Sequence, residues 1–157
     1  MLPEKYEESE APKADTIQAI LALAFFTIWT TDSLWLQWTI GYSKYIPDII
    51  RNGLFLAFMT LGAYVTWKAH KQIFGTKRDE AELIDYGVYG YSRHPMYLGI
   101  MTMYLGLAVS SLSIAAFIVL IVIFFFYNYL ASYEEMKLID FFGDRYLEYQ
   151  KRVRKWL

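Results

Sequence analysis

The stretch IAAFIVLIVIFFFYNYL, residues 114–130, contains no charged side chain, and it is one of four long apolar blocks in the chain. A soluble core is assembled from short apolar clusters, whereas blocks of this length mark a membrane protein. Of the 157 residues, 56% are hydrophobic and 19% aromatic, in keeping with that class. The first block runs from about Ile17 to Ile40, interrupted by Asp32 and Gln37. At about 1.5 Å per residue it can cross a hydrocarbon core of about 30 Å with tilt. The second runs from about Ile49 to Ala69, with Pro47 suited to its first turn and Trp67 as an interfacial anchor. The third, Pro95 to Val109, and the fourth, Ile114 to Leu130, are separated only by SSLS, which fits a tight antiparallel turn.

After Glu134 the pattern turns amphipathic. Met136, Leu138, Ile139, Phe142, Tyr146 and Tyr149 recur at helical spacing among charged residues, as in a helix lying on a membrane surface. The expected fold is therefore all-α and integral to the membrane. It has about four transmembrane helices, the last two a tight hairpin, and a cytosolic amphipathic C-terminal helix. Residues 1–15, acidic and polar and unlike the basic opening of a signal peptide, read as a disordered tail before a single domain over 16–157.

A net charge of −1 gives no case for nucleic acid. The absence of cysteine removes disulfides, thiolate metal sites and a cysteine nucleophile. His70 reads as a loop-end side chain, and two histidines without nearby partners do not make a metal site. Of the Lys and Arg residues, only Lys44 and Arg51 lie near the loop between the first two blocks. Lys5, Lys13, Lys68, Lys71, Lys77, Arg78, Arg93 and all six beyond residue 130 lie on the other side if the chain crosses four times. The positive-inside rule places that side, with both termini and the 70–94 loop, in the cytosol.

The segment GYSRHPMYLG, residues 90–99, sets Arg93 and His94 directly before Pro95, where a polar loop meets the third block. Proline disfavours the helical conformation at His94 and is welcome as the first helical residue, so the helix is predicted to start at Pro95. Its positive end then lies beside Arg93 and His94 as an anion-attracting corner. About 23 Å of helix up to Ser110, returned from Ser113, brings Asn128 level with Pro95. Glu134 and Glu135 then lie roughly 9 Å further on, on the same side of the membrane. A cation-attracting pair thus faces an anion-attracting corner, an arrangement suited to a zwitterion.

The stretches LIDYGVYGYSRHPMYLG and EEMKLIDFFGDRYLEYQKRV, in this order about a hairpin, closely resemble the C-terminal half of the isoprenylcysteine carboxyl methyltransferase family and related phospholipid methyltransferases. The resemblance covers about residues 83–153. It implies a membrane enzyme that binds S-adenosylmethionine and methylates a lipid, prenylated or otherwise lipophilic acceptor in contact with the bilayer. Carried over by position, Leu83, Ile84 and Tyr89 would line the adenosine. His94, Pro95, Met96 and Tyr97 would hold the methionyl part, and Glu134 and Glu135 its ammonium group or ribose. Members of that family usually have an arginine a few residues before the acidic pair, suited to an acceptor carboxylate; here the region reads Asn128, Tyr129, Leu130, Ala131. Arg93, Asn128 and Tyr129 are accordingly the candidates on the acceptor side.

Two other classes stay open at this level: an NADPH-dependent membrane sterol or steroid reductase, and a non-enzymatic lipid-binding membrane protein. FFFYNY, 124–129, reads as lipid contact and packing apart from Asn128 and Tyr129, and KRVRK as attraction to anionic lipid. Asp32 admits two readings, an intramembrane functional group or a hydrated residue near the outer interface.

Overall fold

The computed structural model describes residues 13–75 and 82–157, and among these the regular structure is entirely helical. Residues 1–12, most of the expected tail, and 76–81, with Lys77 and Arg78 of the orientation argument, lie outside the described residues. Helix α1, Ala14–Thr30, continues through a π-helical turn, Thr31–Leu36, and so begins inside the expected tail. A short 3-10 segment, Gly41–Tyr45, leads to α2, Asp48–Phe74. Pro47 stands just ahead of α2 as its N-cap, and His70 belongs to the last turns of that helix, not to a loop. Helix α3, Pro95–Ser111, opens on proline as predicted, and Leu112 in the left-handed conformation (φ 53) makes the turn into α4, Ile114–Phe142.

Among the described residues, three helices are long and apolar enough to cross a membrane: Ala14–Leu36, α2 and α4. The sequence reading expects about four. The difference is α3, whose 17 residues between a fixed proline start and the Leu112 turn extend only about 25 Å. A second difference lies beyond Glu134, where one amphipathic helix is expected. Helix α4 runs on to Phe142, and Gly143, with a positive φ of 57, breaks it before α5, Asp144–Arg152. The reversal folds α5 back, so Tyr146 and Tyr149 are buried with Val153 against Leu83, Leu138, Ile139 and Phe142. The apolar stripe that would have entered a membrane surface is largely spent inside the protein.

Helices α2 and α3 meet through glycine. A Cβ on Gly62 would come within 2.5 Å of the Gly99 carbonyl oxygen, and one on Gly99 within 2.3 Å of Thr66 Oγ1. In lipid, where apolar side chains gain little by leaving the solvent, such close backbone approach is a main source of helix association. Phe25 of α1, Met101 and Ala108 of α3, and Ala116, Ile123, Tyr127 and Leu130 of α4 form the buried core. Phe25 packs on Tyr104 with ring centroids 4.6 Å apart. Leu23, Leu56, Ile118 and Phe125 point outward and exposed, as a hydrocarbon surrounding allows.

Asp32 is buried, and its role is structural. Its Oδ1 accepts from the backbone N–H groups of Trp38 and Thr39, both at 3.1 Å, and its Oδ2 accepts from the hydroxyls of Thr39 and Ser113, both at 2.5 Å. Those hydroxyls in turn accept from Ala115 N–H and Ala116 N–H, both at 3.1 Å, so one carboxyl organises the end of α1 and caps the start of α4. Nearby, Arg51 donates to the Ser110 carbonyl and satisfies an end group of α3. Asp32→Ala should lower the detergent-solubilised protein's stability by about 1–3 kcal/mol, the cost of stranding buried donors. Thr39→Val should act in the same direction. Thermal denaturation measures both, and an Asp32→Ala protein as stable as its parent would remove the capping role.

Candidate active site

The proline start of α3 aims the preceding residues at the end of α4 beyond its apolar part. Glu135, 8% exposed, is the centre of what they build. Its Oε1 accepts from Arg93 Nε at 2.8 Å and lies 3.2 Å from His94 Nε2. Its Oε2 accepts from Gln150 Nε2 of α5 at 3.4 Å and lies 3.7 Å from Lys155 Nζ. Glu134 is the more open carboxylate, with 27% of its side chain exposed. It accepts a short hydrogen bond from the Tyr97 hydroxyl, and its other oxygen lies 3.4 Å from His94 Nδ1.

His94 therefore stands between two carboxylates, one at each ring nitrogen. A neutral imidazole carries one N–H and can donate to only one of them, whereas the protonated ring donates to both. Burial pulls the His94 pKa down, but hydrogen bonds and charge from Glu134 and Glu135 outweigh it and hold the group above its ordinary value. The imidazole lies parallel to the Tyr97 ring at 6.0 Å, and Tyr97 in turn stacks on Tyr127 at 4.8 Å.

Arg93 faces the protein. Besides Glu135, its guanidinium donates to the carbonyls of Val153 at 2.7 Å and Gln150 at 3.1 Å, which ties α5 and the segment after it to the start of α3. Tyr89 is buried, and its carbonyl accepts from the Tyr149 hydroxyl at 2.7 Å. Leu83 packs under Tyr146 and Tyr149, Ile84 and Met96 are half-buried, and Pro95 is fully buried. Asn128 accepts from the Trp156 indole N–H at 3.3 Å. Tyr129 is 61% exposed on the outside of α4. The structure thus brings Arg93, His94, Tyr97, Glu134 and Glu135 into one hydrogen-bonded cluster, reaches Asn128 through Trp156, and leaves Tyr129 outside it.

Sequence reasoning missed the C-terminal segment. Arg93 N–H donates to the Arg154 carbonyl and Ser92 Oγ to the Lys155 carbonyl, both at 3.0 Å. Trp156 packs between His94 and Phe124, with centroids 6.0 Å and 5.8 Å away. Lys155 donates to Ser132 Oγ at 2.8 Å. The usable signal was the tryptophan in KRVRKWL, an expensive residue to leave in a solvated basic tail. Among the described residues, no group of three or more His, Asp or Glu side chains could hold a metal ion.

The chain is similar to known proteins. The chain is 32% identical over 128 residues to the protein-S-isoprenylcysteine O-methyltransferase of Schizosaccharomyces pombe, covering 68% of this chain and 52% of that one. It is 34% identical over 98 residues to the protein of the same name from Saccharomyces cerevisiae, covering 60% of this chain and 40% of the relative. With the probable protein-S-isoprenylcysteine O-methyltransferase of Oryza sativa it shares 38% identity over 117 residues, covering 71% and 56%. The chain thus spans about half the length of the curated relatives it matches. Its fold is that of the eukaryotic intramembrane Ras methyltransferase isoprenylcysteine carboxyl methyltransferase, with a TM-score of 0.65 at 19% identity over 88% of this chain and 50% of that one. Residues 49–145, more than half of the sequence, match the family described as phospholipid methyltransferase, and the chain belongs to that family.

Proposed function

We propose that this chain is a membrane methyltransferase that uses S-adenosylmethionine to methylate a prenylated or otherwise lipophilic acceptor. The observation that carries the reading is the cluster itself: a partly open carboxylate, Glu134, held beside His94 at the proline-started end of α3, where α4 leaves its apolar stretch. This donor set suits a ligand that carries both an ammonium and a carboxylate. Glu134 would take the ammonium or a ribose hydroxyl, and His94 and the start of α3 the methionyl carboxylate. Tyr97 and Met96 would flank the methionyl chain, with Leu83, Ile84 and Tyr89 toward the adenosine. Glu135 is committed to Arg93 and His94, so in this reading it positions both residues and leaves the ligand contact to Glu134.

Bound S-adenosylmethionine supplies a methyl group already activated by a sulfonium. The residues of the chain then have three tasks: to bind the donor, to align the acceptor and to exclude water. The burial of His94 and the wall made by Trp156, Tyr97 and Tyr127 serve the last of these. The distribution of Lys and Arg further supports a cytosolic face for the cluster and both termini.

S-adenosylhomocysteine should raise the melting temperature in detergent and NADPH should not. Glu134→Gln and His94→Ala should each weaken S-adenosylhomocysteine binding by about 1.5–3 kcal/mol, at least tenfold in Kd. Glu148→Gln, on the exposed side of α5, should change it by less than about 0.5 kcal/mol. Calorimetry on proteins of unchanged helicity measures all three; stabilisation by NADPH alone would favour a reductase.

Because the folded protein holds the His94 pKa above its ordinary value of 6.5, His94 contributes stability that is fully present below 6.5 and lost as pH rises through the folded value. The parent's melting temperature should therefore fall as pH is raised above 6.5, and His94→Gln should remove that part of the slope. Identical slopes would show that the ring is not charged between its two carboxylates.

The chain has no cysteine, so single introduced thiols report topology directly. Tyr42→Cys, at a site 64% exposed, should react with an impermeant thiol reagent added outside intact cells, and Tyr91→Cys, at a site 80% exposed, should not. The reverse pattern would invert the proposed orientation.

A further inference from the structure

Helix α2 spends one face on its neighbour α3. Gly62 and Thr66 meet Gly99 there, and Phe58 lies against Gly106. The opposite face carries Leu56, Ala57, Thr60, Leu61 and Tyr64, which line an open groove of about 550 Å³. The groove has a local cause: the small side chains of Ala57 and Thr60 lie among Leu56, Leu61 and Tyr64, each more than half exposed. From Leu56 to Tyr64 the helix rises about 12 Å. One leaflet of hydrocarbon is roughly 15 Å deep, half of the core thickness, so the groove has the reach of a single acyl chain in one leaflet.

The same face continues into two lysines. Tyr64 is followed at helical spacing by Lys68 and Lys71, with Trp67 beside them. Lys68 Nζ lies 5.7 Å from the Tyr64 ring centroid and 5.8 Å from that of Trp67, and Lys71 Nζ lies 5.3 Å from the Trp67 ring. The rings at the head of the groove thus hold both ammonium groups on its side. Among the described residues, no carboxylate forms an ion pair with either lysine. Lys71 lies in the last turn of α2, where its charge also offsets the negative helix end. Lys68 stands a turn short of that end, beyond the reach of the same effect.

We propose that this face of α2 is a binding site for a phospholipid of net negative charge, its acyl chain in the groove from Leu56 to Tyr64 and its phosphate at Lys68 and Lys71. The inference goes beyond methyl transfer and needs only that α2 crosses the bilayer, as its length and composition allow. The apolar groove by itself accepts any acyl chain. The two ammonium groups make the head selective, because the cation of a choline or ethanolamine headgroup cancels the phosphate charge and repels the lysines. In the proposed orientation both lysines face the leaflet where anionic lipids are concentrated. The groove shares no residue with the cluster around Glu135, which makes this lipid a companion of the fold and not a methyl acceptor.

The test is native mass spectrometry of the full chain in detergent, titrated with dioleoylphosphatidylglycerol or dioleoylphosphatidylcholine, which share acyl chains and differ in net charge. The parent should bind its first phosphatidylglycerol about tenfold more tightly than phosphatidylcholine, within the reach of two lysines at about fivefold each. Lys68→Gln combined with Lys71→Gln should bring the two lipids to within about twofold of each other, and Lys68→Arg should keep the preference. Lys151→Gln, exposed on α5 away from the groove, should leave the preference in place, which separates a site from general attraction of a basic surface. Ala57→Phe, which fills the groove, should weaken both lipids severalfold and leave their ratio unchanged. These positions are at the surface of α2, and unchanged helicity of each variant shows that lost binding is not lost folding. A parent that does not discriminate the two lipids, a preference that survives the double lysine substitution or falls equally with Lys151→Gln, or undiminished binding in Ala57→Phe would overturn the assignment. Displacement of the lipid by N-acetyl-S-farnesylcysteine would give the groove to a methyl acceptor, and a dimer lost in Ala57→Phe would give it to a second copy of the chain; either result also overturns it.

Discussion

The site depends on the burial of one carboxylate. Glu135 sits near the end of α4 and is contacted by Arg93 and His94 from the start of α3, by Gln150 from α5 and by Lys155 from the segment beyond. Removing one member of such a buried charge network typically costs about 3–5 kcal/mol, because the remaining groups stay buried without their partners. The adjacent Glu134 can stay partly open because Glu135 carries that structural load. Two neighbouring acids of identical chemistry thus have different duties, set by exposure alone.

Much of this was legible in sequence. Pro95 starts α3 because proline fixes its own backbone and restricts His94 before it, a local effect that needs no tertiary information. The SSLS turn, and the placing of Asn128 and the acidic pair near the start of α3, follow from helix geometry alone. Asp32 was ambiguous because its partners, Thr39 and Ser113, lie far apart along the chain, and no periodicity links them. The span after Glu134 reads as one amphipathic helix although it contains Gly143, a residue type that readily takes the positive φ that breaks it. The part played by Arg93 was not legible either. A side chain's charge is visible in sequence, but whether it meets a ligand or the carbonyls of Gln150 and Val153 is decided by a fold-back that only tertiary structure reveals.

The C-terminal segment illustrates the same limit from the other side. As sequence, KRVRKWL is a basic tail; as structure, its backbone carbonyls are bonded to Ser92 and Arg93 and its tryptophan closes the space between His94 and Phe124. Attraction to anionic lipid remains available to Lys151 and Arg154, which are exposed. Lys155 and Trp156, which follow Arg154, are turned inward. Charge pattern predicts what a segment can be attracted to, and backbone hydrogen bonds decide which of its residues are free to respond.

Helix α4 is an unbroken rod of 29 residues, about 43 Å long, that begins at the Ser113 cap and carries Glu134 and Glu135 near its other end. Its foot is clamped by Asp32, and its apolar portion ends about one turn before the acids. The height of this carboxylate cluster above the hydrocarbon is therefore set by the difference between a fixed rod and the thickness of the bilayer around it. A thicker membrane draws the carboxylates down toward the acyl chains unless the rod stands more upright, and a thinner one lifts them into the headgroups unless it tilts. The bilayer is thus a length standard for the candidate site, and lipid chain length becomes a variable of its surroundings as well as of the solvent.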